Sequence, residues 1–419
     1  MTDMKQSGIE WVGRIPVHWN IHPIYFYFTE RKNKNRFGQE INLLSLSYGK
    51  IVRKDINTNE GLLPKSFSTY NIVEAGDIII RPTDLQNDKR SLRTGLVCER
   101  GIITSAYIAL KPIKTLDSRF FNYQLHAYDG IKVFYNMGNG VRQGLNYSEF
   151  SRLLVLEPPI AEQKKIADYL DSVCVEIDAL ITGVQTQIDV LEQYKRSIIT
   201  KVITKGINSN VKMKNSGIQW IGMIPSHWDC SRGKYILKYV QKPVREDDDV
   251  ITCFRDGEVT LRSNRREDGF TMADKEIGYQ GIDVGDLVVH GMDGFAGAIG
   301  ISDSRGKASP VLNVLETEQN KRFIMYFLRS MAYSDVFLAL ATGIRVRSCD
   351  LRWNKLAELF YPIPPMEEQD SIVNYIDSAL EKTNDVIADK KKQLTVLESY
   401  KKSIIYEYVT GKKEVPVDG

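Results

Sequence analysis

The clearest pattern of apolar positions in this chain begins after Pro158-Pro159, where they recur every three or four residues. The recurring positions are Ile166, Leu170, Val173, Ile177, Leu180, Val184, Ile188, Leu191, Tyr194, Ile198 and Val202. No proline interrupts the run, and proline at the entrance with Glu162 just inside it suits the start of a helix. The spacing predicts a long helix with a narrow apolar seam of the coiled-coil type, roughly 60 Å long at about 1.5 Å per residue.

A second run with this spacing follows Pro364-Pro365 and covers Ile372, Ile376, Ala379, Thr383, Val386, Leu394, Leu397, Tyr400, Ile404 and Tyr408. Its middle is less apolar, because Thr383 and Lys390 stand where the first run has Ile177 and Val184. A lone helix of this length cannot bury its stripe, so we expect the two helices to pair in antiparallel fashion as a coiled coil. The alternative is that both are bundle helices inside ordinary cores.

Shorter apolar or alternating runs precede each predicted helix. The first long segment predicts strands over residues 41–48, 77–81, 94–98 and 102–110, and a helix over about 117–128. The second predicts a strand over residues 286–290 and a helix over about 319–331. Both segments therefore have a mixed α/β character.

The whole arrangement occurs twice. Residues 4–21 read MKQSGIEWVGRIPVHWNI and residues 213–230 read MKNSGIQWIGMIPSHWDC, and Pro-Pro-x-x-Glu-Gln recurs at 158–163 and 364–369. We therefore expect an α+β fold with a pseudo-twofold internal repeat. Its parts are two mixed α/β domains, 1–157 and 209–363, separated by two long helical segments, 158–208 and 364–419.

Composition adds little to this plan. The chain has 419 residues, of which 42% are apolar and 26% charged, which is ordinary for a globular protein of several domains. It contains no apolar run of about 18 residues and no export signal, and its five cysteines are scattered, so we expect a reduced, cytoplasmic protein without a membrane span. The net charge is +3, and residues 1–157 hold 21 Lys and Arg against 15 Asp and Glu, a balance compatible with phosphate binding.

Motifs for catalysis are missing from the sequence. Gly411-Lys412-Lys413 lacks the remainder of a phosphate-binding loop, and Gly138-Asn-Gly140 is better explained as a turn. Glu157-Pro-Pro-Ile160 lacks both the Asn or Asp and the aromatic residue of an amino-methyltransferase motif. The five histidines have no metal-ligand spacing, and His18 and His227, beside Trp19 and Trp228, are interpreted as packing or capping groups. We expect neither a catalytic residue nor a metal site.

Polar loops differ between the two copies and contain the candidates for DNA contact. Arg, Asn and Gln read base edges, while Lys mostly holds phosphates. The candidates are Lys34, Arg36, Arg53, Lys54, Arg81, Lys89, Arg90, Arg93, Arg142, Gln143, Arg262, Arg265, Arg266, His290, Arg345 and Arg347. Because the helices repeat and the loops do not, we expect the two mixed domains to read two different DNA sequences.

The ordered set of motifs, present in both copies, resembles the specificity (S) subunit of type I restriction–modification systems. The set is Ser-Gly-Ile-x-Trp-x-Gly-x-Ile-Pro-x-His-Trp, then Gly-Asp, then Gly-(Val/Ile)-Arg, then Pro-Pro-x-x-Glu-Gln before a long helix, and it spans essentially the whole chain. The resemblance implies two target recognition domains on an antiparallel coiled coil that sets their separation. It also implies a bipartite, asymmetric double-stranded DNA target with a nonspecific spacer.

The same resemblance implies a noncatalytic chain that docks two adenine methyltransferase (M) subunits, joined by restriction (R) subunits with translocase and nuclease activity. S-adenosylmethionine, ATP and magnesium would belong to those partners, and this chain would hold no cofactor. Two alternatives remain open from the sequence. One is a self-contained DNA methyltransferase with divergent motifs, and the other is a noncatalytic scaffold whose coiled coil binds only protein.

Overall fold

A computed structural model of the chain describes residues 3–57, 66–83, 92–137, 144–265, 277–340 and 351–416. The chain divides into two compact units. The first unit combines residues 1–185 with residues 392–419, and the second consists of residues 186–391. Each unit therefore contains one of the predicted mixed domains together with a part of each long helix.

Short strands and helices make up the described part of the first unit. Its strands are β1 (Met4–Gln6), β2 (Arg14–Pro16), β3 (Asn20–Pro23), β4 (Phe28–Glu30), β5 (Leu43–Ser47), β6 (Lys50–Lys54), β7 (Asn71–Val73), β8 (Ile78–Ile80), β9 (Thr94–Leu96), β10 (Gly101–Ile103), β11 (Ile108–Pro112) and β12 (Leu154–Glu157). The helices that begin in it are α1 (Ser118–Gly130), α2 (Tyr147–Phe150) and α3 (Ile160–Lys205).

Two four-stranded sheets form the body of the first unit. One is antiparallel with the order β4-β11-β8-β9, and α1 packs against its strand β9. The other has the order β6-β5-β10-β7, with β5 and β10 parallel. The strand predicted over residues 102–110 is in fact two strands of different sheets, β10 and β11, because a turn between them is closed by a bond from Tyr107 N–H to the Thr104 carbonyl (3.2 Å).

The second unit follows the same plan. Its strands are β13 (Met213–Asn215), β14 (Met223–Pro225), β15 (Asp229–Arg232), β16 (Lys238–Val240), β17 (Ile251–Cys253), β18 (Val259–Leu261), β19 (Gln280–Ile282), β20 (Leu287–His290), β21 (Ile299–Ile301), β22 (Gly306–Ala308), β23 (Leu312–Glu316) and β24 (Phe360–Ile363). Its helices are α4 (Gly233–Ile236), α5 (Lys321–Tyr333), α6 (Val336–Ala339), α7 (Trp353–Leu356) and α8 (Met366–Val409). The sheet β16-β23-β20-β21 repeats β4-β11-β8-β9 strand for strand, and α5 repeats α1 by packing against β21.

Parts of α3 and α8 pack together within each unit. In the first unit the rings of Tyr169 and Tyr408 lie 4.6 Å apart, and Lys401 Nζ lies 2.5 Å from Asp178 Oδ1, so the two helices run antiparallel. In the second unit, Ile198 and Val202 of α3 share one apolar core with Ile372 and Ile376 of α8. The predicted fold class is thus confirmed: two mixed α/β domains occur with two long helices that pack against each other, and the second half repeats the first.

The apolar stripe differs from the prediction at four positions. Leu180, Tyr194, Val386 and Tyr400 were expected on the seam but are between 45% and 56% exposed. Cys174 and Ile387, which lie one residue from predicted seam positions, are buried instead. Since an α-helix has 3.6 rather than 3.5 residues per turn, a fixed step of three or four drifts around the helix and reaches the solvent side.

The remaining predicted seam residues face inward to different degrees. Val173, Leu191, Leu394 and Leu397 are half-buried. The buried ones are Ile166, Leu170, Ile177, Val184, Ile188, Ile198, Val202, Ile372, Ile376, Ile404 and Tyr408. Thr383 is also buried, and its hydroxyl donates to the Ala379 carbonyl (2.7 Å), so the less apolar middle of α8 still packs. Within the described residues, no helix combines the length and the apolar character that a membrane crossing needs.

Both long helices end at a glycine with positive φ, Gly206 (+73°) after α3 and Gly411 (+68°) after α8. Glycine is favoured there because other residues are strained in this region. The surroundings differ, since an added Cβ at Gly411 would lie 2.4 Å from Cδ of the Pro16 ring, whereas at Gly206 the nearest atom would be Glu368 Oε1, at 3.3 Å.

We therefore expect Gly411→Ala to destabilise the first unit more than Gly206→Ala destabilises the second. The backbone strain is common to both and costs about 1 kcal/mol, whereas only Gly411→Ala adds a clash with a rigid ring. Chemical denaturation of both variants, followed by amide hydrogen exchange of each unit, measures the difference. Equal losses would show that the Pro16 contact carries no weight.

Candidate nucleic-acid interface

The repeated Ile-Pro-x-His-Trp element fastens each mixed domain to the beginning of a long helix. In the first unit, Trp19 is fully buried and its Nε1–H donates to Glu162 Oε1 (3.1 Å), while His18 Nε2 lies 2.9 Å from Glu162 Oε2. In the second unit, His227 and Trp228 make the same contacts with Glu368, at 2.8 and 3.1 Å. The interpretation of the histidines as capping groups agrees with these bonds.

A glutamine beside each of these glutamates completes the joint. Gln163 Oε1 accepts from Asp117 N–H (3.0 Å), just before α1, and Gln163 Nε2 donates to the Pro158 carbonyl (2.8 Å). Gln369 repeats both bonds with Asn320 (3.0 Å) and Pro364 (2.9 Å). The Pro-Pro-x-x-Glu-Gln motif thus fixes the angle at which each domain meets its helix.

The aspartate of each repeated Gly-Asp motif binds a cation that lies just after the edge strand of the antiparallel sheet, β4 in the first unit and β16 in the second. Asp77 is buried, accepts from Glu74 N–H (2.9 Å) and from the Arg31 guanidinium (2.9 Å). Burial raises the pKa of Asp77, and the Arg31 guanidinium opposes that rise. Asp286 does the same with Asp283 N–H (2.8 Å) and Lys242 Nζ (2.8 Å).

In each unit a second cation binds an acidic residue at the other end of the loop that begins with Arg31 or Lys242. Arg100 donates to Glu40 (2.9 Å) and Glu74 (2.5 Å) in the first unit. Arg305 donates to Asp248 (2.7 and 2.9 Å) and to Asp283 (2.6 Å) in the second unit. The Arg305 guanidinium, together with Lys242, lowers the pKa of Asp283 to about 2. One anchored loop, residues 31–42, therefore corresponds to another, residues 242–249.

The two loops are held alike but differ at their tips. The first tip, residues 35–38, reads Asn-Arg-Phe-Gly, and the second tip, residues 244–247, reads Val-Arg-Glu-Asp. Beside the first tip lies a pocket of about 340 Å³ to which Ile56 and residues 66–68 also contribute. Arg36, from the predicted basic segment 31–36, is among the residues that line this pocket.

Four candidate DNA contacts belong to the predicted basic segments 31–36 and 53–54. Arg36 and Lys54 are exposed. Lys34 Nζ donates to the Thr69 carbonyl (3.0 Å), and Arg53 forms an ion pair with Glu99. Arg36 and Lys54 are thus the better placed of the four to meet a phosphate or a base.

Arg81 and Arg93 do not lie on an open surface. Arg81 is half-buried, and its backbone N–H donates to the Arg93 carbonyl (2.8 Å). Arg93 is fully buried, donates to the Thr83 carbonyl (2.5 Å), and places its guanidinium 5.4 Å from the centre of the Tyr135 ring. The structure thus corrects the expectation for Arg93, since a side chain enclosed by its own domain supports the fold and cannot reach DNA without unfolding locally.

Candidates in the second unit are also engaged within the protein. Arg265 pairs with Asp256 (3.0 Å) and stacks over the Phe254 ring at 4.2 Å, and Arg262 Nε lies 3.5 Å from Thr252 Oγ1. His290 Nδ1 accepts from Met292 N–H (3.2 Å) and Asp293 N–H (3.0 Å), and burial lowers its pKa. His290 therefore organises the turn that follows β20.

The remaining candidates, Lys89, Arg90, Arg142, Gln143, Arg266, Arg345 and Arg347, lie outside the described residues. Across the described ranges, no group of three or more His, Cys, Asp or Glu side chains is arranged to hold a metal ion.

Sequence reasoning missed the anchoring cations Arg100, Lys242 and Arg305. Each is spaced from its acidic partners by 22 to 60 residues along the chain. Aligning the two copies around the Gly-Asp motif could have indicated them, because a cation and an acid stand at nearby positions in both.

Comparisons with known proteins agree on one family. The chain is 23% identical to the MjaX type I restriction enzyme specificity subunit of Methanocaldococcus jannaschii, with 96% of each protein covered. It is 25% identical to the MjaVIII specificity subunit of the same organism over 76% of this chain and 75% of that protein. A solved chain from a structural study of the assembly and conformational transition of a type I R-M system covers 95% of this chain with a TM-score of 0.67 at 13% identity, which supports the fold. No protein-family model matches the chain.

Proposed function

We propose that this chain, which belongs to the family of type I restriction enzyme specificity subunits, recognises a DNA target in two parts, one with each unit. The observation that carries the proposal is the contrast within the repeat. The joints to the helices and the anchors of the loops recur with nearly the same distances, whereas the tips Asn-Arg-Phe-Gly and Val-Arg-Glu-Asp do not. A repeated frame with different tips suits a bipartite target whose half-sites differ.

The chain itself is noncatalytic, as specificity subunits are. Under the proposal, adenine methylation is carried out by two methyltransferase subunits, and restriction subunits join them to translocate and cleave DNA. S-adenosylmethionine, ATP and magnesium would bind to those partners. The proposed function also requires the chain to share the compartment of the DNA, which is the cytoplasm of a bacterial or archaeal cell.

The exposed apolar residues of the long helices support docking of the methyltransferase subunits. Val175, Leu180 and Val396 belong to the first unit, and Val190 and Tyr194 to the second, and all are more than half exposed. Large apolar side chains on an outer helix face are a feature of protein–protein contacts. One methyltransferase subunit per unit is the proposed arrangement.

Methylome sequencing tests the proposal. Expression of this chain with its methyltransferase subunit in a host without other adenine methylation should produce methylated adenines within one bipartite, asymmetric sequence. The methyltransferase alone should leave the genome unmethylated, because it lacks the part that selects the site. Transfer of labelled methyl groups to DNA by the purified chain alone would instead favour a self-contained methyltransferase.

A further inference from the structure

The first tip presents an aromatic ring to solvent in a strongly basic part of the chain. Phe37 is 86% exposed, and Ile41 nearby is 68% exposed. Both residues line the pocket of about 340 Å³ beside the tip, together with Arg36, Ile56 and Phe67. A single exposed apolar residue needs no explanation, but an aromatic ring, an aliphatic side chain and a cation grouped at one pocket form a surface suited to a planar ligand.

The loop holds Phe37 in a defined position. Asn35 is only 2% exposed, its Nδ2 donates to the Glu40 carbonyl (2.8 Å), and its Oδ1 accepts from Glu40 N–H (3.2 Å). The Gly38 N–H donates to the Asn35 carbonyl (3.0 Å), and Asn35 N–H donates to the Tyr70 carbonyl (2.9 Å). With Arg100 holding Glu40, the tip is ordered before any ligand arrives, which lowers the entropy lost on binding.

The charge next to Phe37 is available for an anion. Of the basic residues in 31–36, Arg31 is bound to Asp77, Lys32 to Glu30 (2.8 Å), and Lys34 to the Thr69 carbonyl. Arg36 is exposed and makes no side-chain hydrogen bond or ion pair with the described part of the chain. An aromatic ring beside an unneutralised guanidinium matches the chemistry of a nucleic acid, in which bases stack and phosphates attract cations.

The second tip has the opposite character. Val244 stands there without an aromatic neighbour, and Glu246, Asp247, Asp248 and Asp249 follow Arg245. Asp248 is bound by Arg305, which leaves Glu246 and Asp247 as exposed negative charges on that tip. Phosphates would be repelled from it, although its anchors are the same as those of the first tip.

We propose that Phe37 stacks against the bases of the half-site read by the first unit, with Arg36 on a neighbouring phosphate, and that the second tip makes no contact with DNA. This inference rests on the proposed function. Apolar side chains inserted at a base step favour steps that unstack easily, so Phe37 would contribute to sequence selection through deformability as well as contact. The two units would therefore contact DNA through different residues, although their loops are anchored in the same way.

The test uses the complete complex with its methyltransferase subunits and a duplex that contains the methylated sequence. Phe37→Ala should weaken binding about 5- to 100-fold, in line with the loss of one base–aromatic stack, and should leave the slope of affinity against salt unchanged. Arg36→Gln should reduce that slope by about one. Phe37→Trp should bind DNA about as tightly as the wild type, because it keeps an aromatic ring at this position. The matched change in the other tip, Val244→Ala, should leave the DNA affinity unchanged.

A fluorescent probe reports the stacking itself. 2-Aminopurine placed in turn at each position of the first half-site should brighten at one base step with the wild-type complex and stay quenched with Phe37→Ala. The unfolding midpoint of Phe37→Ala should equal that of the wild type, because the ring is exposed in the free protein. Wild-type affinity in Phe37→Ala, or weaker assembly with the methyltransferase at unchanged DNA affinity, would overturn the inference alone, while a wild-type complex without sequence preference would overturn the proposed function as well.

Discussion

Trp19→Ala is expected to unfold the first unit and to abolish recognition of one half-site, whereas Trp228→Ala is expected to do the same to the second unit. Both rings are fully buried and meet a phenylalanine edge-on, Trp19 with Phe120 at 6.2 Å and Trp228 with Phe323 at 6.4 Å. Removing a buried tryptophan costs about 3–5 kcal/mol, which is a large share of the roughly 5–15 kcal/mol that stabilises a domain.

The loss should exceed that of an ordinary core residue, because each tryptophan also joins its domain to a helix. Without Trp19, the Glu162 carboxylate loses its Nε1–H donor and Gly411 loses a packing partner (3.2 Å for an added Cβ). Urea unfolding followed by hydrogen exchange of each unit measures the effect, and methylation of each half-site measures its consequence. Trp220→Ala serves as the comparison, since Trp220 is 36% exposed and its removal should cost less than removal of either fully buried ring.

A milder change separates the joint from the core. Glu162→Gln keeps the volume and can still accept from Trp19, but its amide nitrogen cannot accept from His18. We expect a loss of about 1 kcal/mol or less, as is usual for one partly exposed hydrogen bond. If Glu162→Gln were as damaging as Trp19→Ala, the joint and not the burial of the ring would dominate.

The long helices could be predicted from the sequence because their signal is local and repeated many times. Some eleven apolar positions, each three or four residues from the next, indicate α3 without knowledge of its partner. The details of the seam were less accessible. Tyr194 was predicted on the seam but is exposed, whereas Cys174 was not predicted there and is buried. The direction of each side chain depends on how both helices wind, which the spacing alone does not give.

The candidate site could be predicted only in part, because contacts between distant residues decide which charges are available. The basic cluster 31–36 was apparent, but the sequence does not reveal that Asp77 holds Arg31 while Arg36 stays exposed. Arg93 is a second example, since it lies in a polar stretch and was expected to contact DNA but is fully buried. His18 and Glu162 are 144 residues apart, so their bond became visible only in the fold.

Deleting seven residues from each long helix is expected to shorten the spacer of the DNA target and to leave both half-sites unchanged. Residues 184–190 of α3 and 387–393 of α8 suit the deletion, because the pairing of Tyr169 with Tyr408 and of Asp178 with Lys401 places these stretches opposite each other. Seven residues are nearly two full turns, so the seam is rotated by only about 20° and can re-form. Each helix loses about 10 Å.

The size of the change follows from the geometry of both partners. A loss of about 10 Å equals about three base pairs at 3.4 Å each, but each base pair removed also rotates one half-site around the duplex, so we expect a spacer shorter by about one to three base pairs. Methylome sequencing of the double deletion reads the result directly. Insertion of seven residues in both helices should lengthen the spacer, and deletion from α3 alone should abolish methylation because the seams no longer match. Altered half-sites around an unchanged spacer would show that the loops, rather than the helices, set the distance.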